Sequence, residues 1–135
     1  MDALYGEVDE DLIRGGSGDD AVSGGNGDDV IHVNGGSDRV DGNEGSDTIY
    51  GGSGDDALQG GRGDDTIYGA GGDDFINGDA GDDEVRGQSG DDEVRGGAGH
   101  DQVSGGTGTD TVYGGTGTDT CTGGEIGFSG CETIV

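Results

Sequence analysis

Aliphatic residues recur in this chain every nine positions, not at the spacing of two of an amphipathic strand or the roughly 3.6 of a helix. Written in rows of nine from Gly6, the chain fills thirteen rows without insertion and ends them at Thr122. Position 8 is aliphatic in twelve rows and is Cys121 in the thirteenth. Position 6 is Asp in every row: Asp11, Asp20, Asp29, Asp38, Asp47, Asp56, Asp65, Asp74, Asp83, Asp92, Asp101, Asp110 and Asp119. Positions 1 and 4 are Gly in twelve rows each. The register also runs backwards through Asp2, Leu4 and Tyr5, so the chain begins inside a repeat and is expected to be part of a longer array.

A lone aliphatic between two outward neighbours predicts a very short strand over positions 7 to 9. The Gly-rich positions 1 to 6 predict a tight turn with positive φ. If each row is half a coil, rows n and n+2 stack. The expected fold is then an all-β solenoid of about fifteen short strands in two parallel sheets. One inner layer is Ile13, Ile31, Ile49, Ile67, Val85 and Val103; the facing one is Leu4, Val22, Val40, Leu58, Ile76, Val94 and Val112. The register slips by four residues at Gly123 to Ile126 and resumes at Gly127, with Glu132 at the acidic position and Ile134 at the aliphatic one. Residues 1–122 are thus read as the repeat solenoid and 123–135 as a degenerate last repeat or C-terminal cap.

Composition changes this picture by what it excludes. The chain of 135 residues has 37 Gly, 31 acidic residues, 5 basic ones and a net charge of −26. Such a balance resembles a disordered chain, but disorder has no reason to keep a strict period. Nucleic acid is excluded as a partner for want of a cationic footprint. No apolar run approaches the roughly 20 residues of a membrane helix. The absence of Lys removes Schiff-base chemistry.

The consensus is G-G-x-G-x-D-x-U-x with U aliphatic, and Gly24-Gly25-Asn26-Gly27-Asp28-Asp29-Val30-Ile31-His32 is a perfect copy. This resembles the RTX (repeats-in-toxin) calcium-binding nonapeptide family over nearly the whole chain. The resemblance implies a parallel β-roll with calcium-binding turns along both edges, disordered without calcium and folded with it. It also implies a secreted bacterial protein that passes a type I secretion channel unfolded, the module serving structure and secretion. The ending Glu132-Thr133-Ile134-Val135 is similar to the tail of such secretion signals, and a capping strand explains it equally well.

Stacked strands lie about 4.8 Å apart. Calcium takes about six to eight oxygens at about 2.3–2.6 Å. An ion between stacked turns can therefore reach the position 6 Asp of row n and its counterpart 18 residues on. Such pairs run from Asp11/Asp29 to Asp101/Asp119, with Asp2/Asp20 possible before them. Turn carbonyls are expected to complete the shell, among them those of Gly16, Gly18, Gly25, Gly27, Gly52, Gly54, Gly61 and Gly63. Some turns read as poor: Glu7 and Asp9 replace Gly in the first row, the fourth opens Val33-Asn34, and Asp79 and Gln88 replace a second Gly. About eight to eleven ions follow from this ligand count. The core is thin and the charge self-repelling, so the chain is expected to be unfolded without calcium. Position 5 is Asp in seven rows and is read as a solvated side chain with only its carbonyl used, a direct side-chain ligand being the alternative.

Other chemistry is weaker. No segment fits an EF-hand, and His32 and His100 lie too far from the two Cys for a zinc site. No G-x-S-x-G elbow exists, and His100-Asp101 reads as a turn pair, so no enzyme is expected. Cys121 and Cys131 flank the register slip; a disulfide there would pin the cap, and two unpaired thiols are the alternative. Arg14, His32, Tyr50, Tyr68 and Arg86 share one outward row, read as stacking on a solvated face or as a partner surface. The whole is expected to be a monomeric module of a larger secreted protein. The alternatives are an extracellular adhesin or ice-binding stalk, for which Thr107 to Thr120 offer a partial Thr array, and an appendage of a secreted lipase or protease.

Overall fold

The computed structural model describes residues 1–123 and 126–134. Among them the chain forms sixteen β-strands and no helix, from β1 (Ala3–Tyr5) and β2 (Leu12–Ser17) to β15 (Ile126–Ser129) and β16 (Thr133–Ile134). Odd-numbered strands form one eight-stranded sheet and even-numbered strands the other. Every pairing is parallel, and from β1 to β14 (Thr120–Thr122) it joins residues 18 apart, as in Val22↔Val40 and Ile49↔Ile67. Each nonapeptide is therefore half a coil, and the fold is the two-sheet parallel roll.

The strands are longer than the pattern predicts. Most run six residues, as in β3 (Ala21–Asn26) and β6 (Thr48–Ser53), covering positions 7 to 9 and then 1 to 3 of the next row. The reason is steric. Position 1 points inward, where a Cβ would meet the carbonyl of the next coil and the Asp of its own row, so Gly lets the backbones close up and continue pairing. Only positions 4 to 6 remain as turn.

Between the sheets the position 8 residues from Ile13 to Val112 are all buried, joined by Val33 and Cys121. Leu4 packs partly against them. Positions 2 and 4 hold the positive φ values, 117° at Gly25 and 126° at Gly27. Five residues other than Gly accept this geometry at position 2: Asn34, Asn43, Ala70, Asp79 and Gln88. The sequence pattern marked only three of them. Glu7 and Asp9 are not among the positive-φ residues, so the first turn abandons the shared conformation.

At the C-terminal end β15 adds to β13 (Thr111–Gly117) with a register irregularity, and β16 continues from β14 through Thr120↔Thr133 and Cys121↔Ile134. The Cys121 and Cys131 sulfurs are bonded, with Cα atoms 5.9 Å apart. The slip falls partly on Gly124 and Glu125, and the apolar tail on Val135, outside the described residues. On the outer face of the even sheet His32 stacks on Tyr50 at 4.4 Å and Tyr50 on Tyr68 at 5.1 Å between centroids, with Arg86 beyond Tyr68.

Candidate metal centre

The turns along the two edges of the roll are where the acidic residues converge. Position 6 follows two turn residues and precedes an outward strand residue, so its side chain lies against the preceding coil. Twelve bonds of 2.6–3.0 Å repeat one geometry: the backbone N–H of an Asp donates to Oδ1 of the Asp 18 residues later. The run begins with Asp2 to Asp20 and Asp11 to Asp29 and ends with Asp101 to Asp119. Beyond it, the Asp119 N–H donates to Glu132 Oε2 at 2.6 Å, so Glu132 occupies the next acidic place across the slip.

The stacked pairs are thus brought together, but through a clasp that the pattern did not anticipate. One carboxylate oxygen is committed to the backbone of the neighbouring coil. The other is left over. Oδ2 of Asp20, Asp29, Asp38, Asp47, Asp56, Asp65, Asp74, Asp83, Asp92, Asp101, Asp110 and Asp119 is buried without a hydrogen-bond partner. Asp11 differs: its Oδ2 accepts the Glu7 N–H at 3.0 Å, and the residue is only half buried. The irregular first turn therefore satisfies its own carboxylate.

Position 5 runs a second clasp in the opposite direction. All seven of its Asp residues, from Asp19 to Asp91, accept at Oδ1 the N–H of the residue 18 later, at 2.8–3.0 Å. These side chains are exposed, as expected, yet they are fastened. The gap between coils thus receives a position 5 carboxylate from one side and a position 6 carboxylate from the other, as with Asp28 and Asp47. His100 joins the same row, its Nδ1 accepting the Thr118 N–H at 3.1 Å.

Twelve buried, half-paired carboxylates are costly as anions. Burial pushes Asp65 and Asp74 up to about 7, and Asp47, Asp56 and Asp83 up to about 6. The clasp bond opposes that rise, and neighbouring carboxylates, such as Asp83 and Asp47 around Asp65, add to it. Asp29, Asp38, Asp92 and Asp101 are raised for the same first reason. The edges call for positive charge, and the five Arg of the chain do not supply it: Arg62, Arg86 and Arg95 pair instead with Glu44, Glu84 and Glu93.

Among the described residues no cluster of three or more His, Cys, Asp or Glu side chains is close enough to hold a metal. A cation at these turns must therefore draw most of its ligands from backbone carbonyls. Position 4 supplies candidates. Gly27, Gly45 and Gly63 aim their carbonyls along one edge, and Gly36, Gly54 and Gly72 along the other, each toward the corresponding Gly of the next coil. No backbone N–H among the described residues donates to these carbonyls. An all-oxygen donor set of carboxylate and carbonyl suits a hard cation with flexible coordination, which is calcium, and not zinc.

A family model described as the RTX calcium-binding nonapeptide repeat (4 copies) matches residues 2–31, 23–58, 32–67, 50–85 and 86–121. No curated protein matches the chain.

Proposed function

The chain belongs to the RTX calcium-binding nonapeptide repeat family, and from that premise we propose that the roll folds only as its edge carboxylates are neutralised by calcium. The observation that carries this reading is the ladder of twelve buried Oδ2 atoms with no partner. An aliphatic core one residue wide per half-coil cannot offset that many unpaired buried anions. When bound, calcium supplies the positive charge and the oxygen-coordinating capacity that the turns lack. The residues that would hold it are the position 6 Asp of the turns that open with Gly, between Asp20 and Asp119, with carbonyls of the Gly-rich turns. The clasp bonds hold each carboxylate in place between two coils, a placement that exists only in the stacked chain, so binding free energy becomes folding free energy.

The same reading gives the module its role. It stays unfolded where calcium is scarce and becomes a rigid roll where calcium is plentiful, which suits a part of a secreted bacterial protein that crosses a channel before folding. Residues 1–122 are the folding array, and 123–135 close it as a cap fastened by Cys121–Cys131. The role is structural rather than catalytic: His100 and Asp101 are both engaged in turn clasps.

Far-UV circular dichroism during a calcium titration of the chelated protein, with magnesium as control, tests this. A steep coil-to-β transition for calcium alone is expected, since magnesium demands octahedral geometry and dehydrates reluctantly. A spectrum already rich in β-structure in chelator above pH 7, where the buried carboxylates are ionised, overturns the coupling.

A further inference from the structure

The array is not uniform, and one residue breaks it from inside. Position 1 is Gly in twelve of the thirteen rows, and Val33 is the exception. The glycines show what that place demands. A Cβ built on Gly24, Gly51 or Gly96 would come within 2.5–2.6 Å of the Oδ2 of Asp29, Asp56 or Asp101, the orphaned oxygen of the same turn. It would also crowd the carbonyl of the next coil, as with Gly42 at 2.7 Å from the Gly24 site. Val33 carries that Cβ and two methyls besides, and it is wholly buried in the core. Its turn ends at Asp38, whose Oδ1 still accepts the Asp20 N–H at 2.7 Å. The backbone clasp is therefore kept and Asp38 Oδ2 is still buried without a partner, but hydrocarbon stands at the place where the other rows carry no side chain.

We propose that Val33 removes one calcium ion from the array: the turn Val33–Asp38 is a coil joint held by apolar packing, where its neighbours are held by an ion. Calcium tolerates variation of only a few tenths of an ångström about its oxygen distances, about 2.3–2.6 Å. A ligand oxygen that gives way to the Val33 side chain by more than that leaves the coordination range. This inference rests on the calcium reading above and assigns to Val33 the choice of which turn goes without.

Native mass spectrometry of the full chain at saturating calcium, with circular dichroism to establish that each variant folds, decides it. Val33→Gly should bind one more ion than the parent. Val33→Ala, which keeps the Cβ, should match the parent. The ion gained in Val33→Gly should be lost again in the Val33→Gly/Asp38→Asn double variant, which places it at this turn. An unchanged count in a folded Val33→Gly overturns the proposal, as does a gain that survives Asp38→Asn. If Val33→Gly fails to fold in calcium, a Val33→Ala count above the parent's overturns it, and a count equal to the parent's upholds the Cβ as the obstacle. Absence of bound calcium in every protein, parent included, is a different result and overturns the underlying calcium reading.

Discussion

At the scale of single residues, the molecule is governed by where a Cβ is tolerated. Position 2 is left-handed in every row but the first, and Ala70 at φ 86° and Gln88 at φ 82° hold that geometry without the compensation that Asn can offer. Replacing either by Gly should stabilise the calcium-bound roll by about 0.5–1 kcal/mol despite the greater entropy of Gly in the unfolded chain. Chemical denaturation at fixed calcium measures it, and a loss of stability would show that the side chains earn their place by packing. The opposite substitution, Gly51→Ala, places a Cβ against Asp56 Oδ2 and should raise the calcium midpoint and lower the bound-ion count by one. The choice of Asp at position 6 was legible from its recurrence. The division of labour between its two oxygens was not, because Oδ1 meets its donor 18 residues away in sequence.

At the scale of the element, one half-coil cannot stand alone. Its strand pairs only with strands two rows away, so every hydrogen bond of the sheets is long-range in sequence. Ile67 lies mid-array with no exposure, and Ile67→Ala should cost about 2–4 kcal/mol, read as a higher calcium midpoint. The C-terminal cap is the other element with a measurable contribution. Its disulfide closes a sequence separation of 10 residues, which is worth about 2–3 kcal/mol in the chain-entropy model. Reduction, or Cys131→Ser, should therefore raise the calcium midpoint without abolishing the transition. An unchanged midpoint would mean that the cap is fastened by strand pairing alone. Of the cap strands only β16 was readable from the resumed register; β15, which lies where the pattern expects the slip and a turn, was not, and neither was the strand length. Six-residue strands arise because Gly at position 1 permits close stacking, a property of neighbours and not of the nonapeptide itself.

At the scale of the whole molecule, charge sets the conditions for folding. The raised carboxylates give the calcium-free and calcium-bound forms opposite responses to pH. Without metal, the folded state holds protons on Asp47, Asp56, Asp65, Asp74 and Asp83 up to about pH 6–7, above the ordinary carboxylate value. That contribution to stability is complete below the ordinary value and is lost as pH rises through 6 to 7. Calcium-free protein should thus be most β-structured near pH 4 and least so above pH 7, by far-UV circular dichroism. The unfolded calcium-free chain already carries these Asp ionised above the ordinary carboxylate value, so the calcium midpoint should vary little over that interval and rise only as pH falls through the ordinary value, where protons compete with the ion. A midpoint that does not rise on acidification through the ordinary carboxylate value would show that these Asp do not face the ion.

Period nine, the half-coil stacking, the two inner aliphatic layers and the acidic edges all follow from the sequence by itself. They are repeated thirteen times in register, and a repeat can bury its one aliphatic residue only against its neighbours. Only the tertiary structure decided which oxygen of each Asp is spent on the backbone and which is left over. It also decided that position 5 is fastened to the following coil, that the first turn satisfies its own carboxylate, and that Val33 fills a space kept empty elsewhere. These are contacts between residues one coil apart, and their geometry is set by the spacing of stacked backbones, which no single nonapeptide contains.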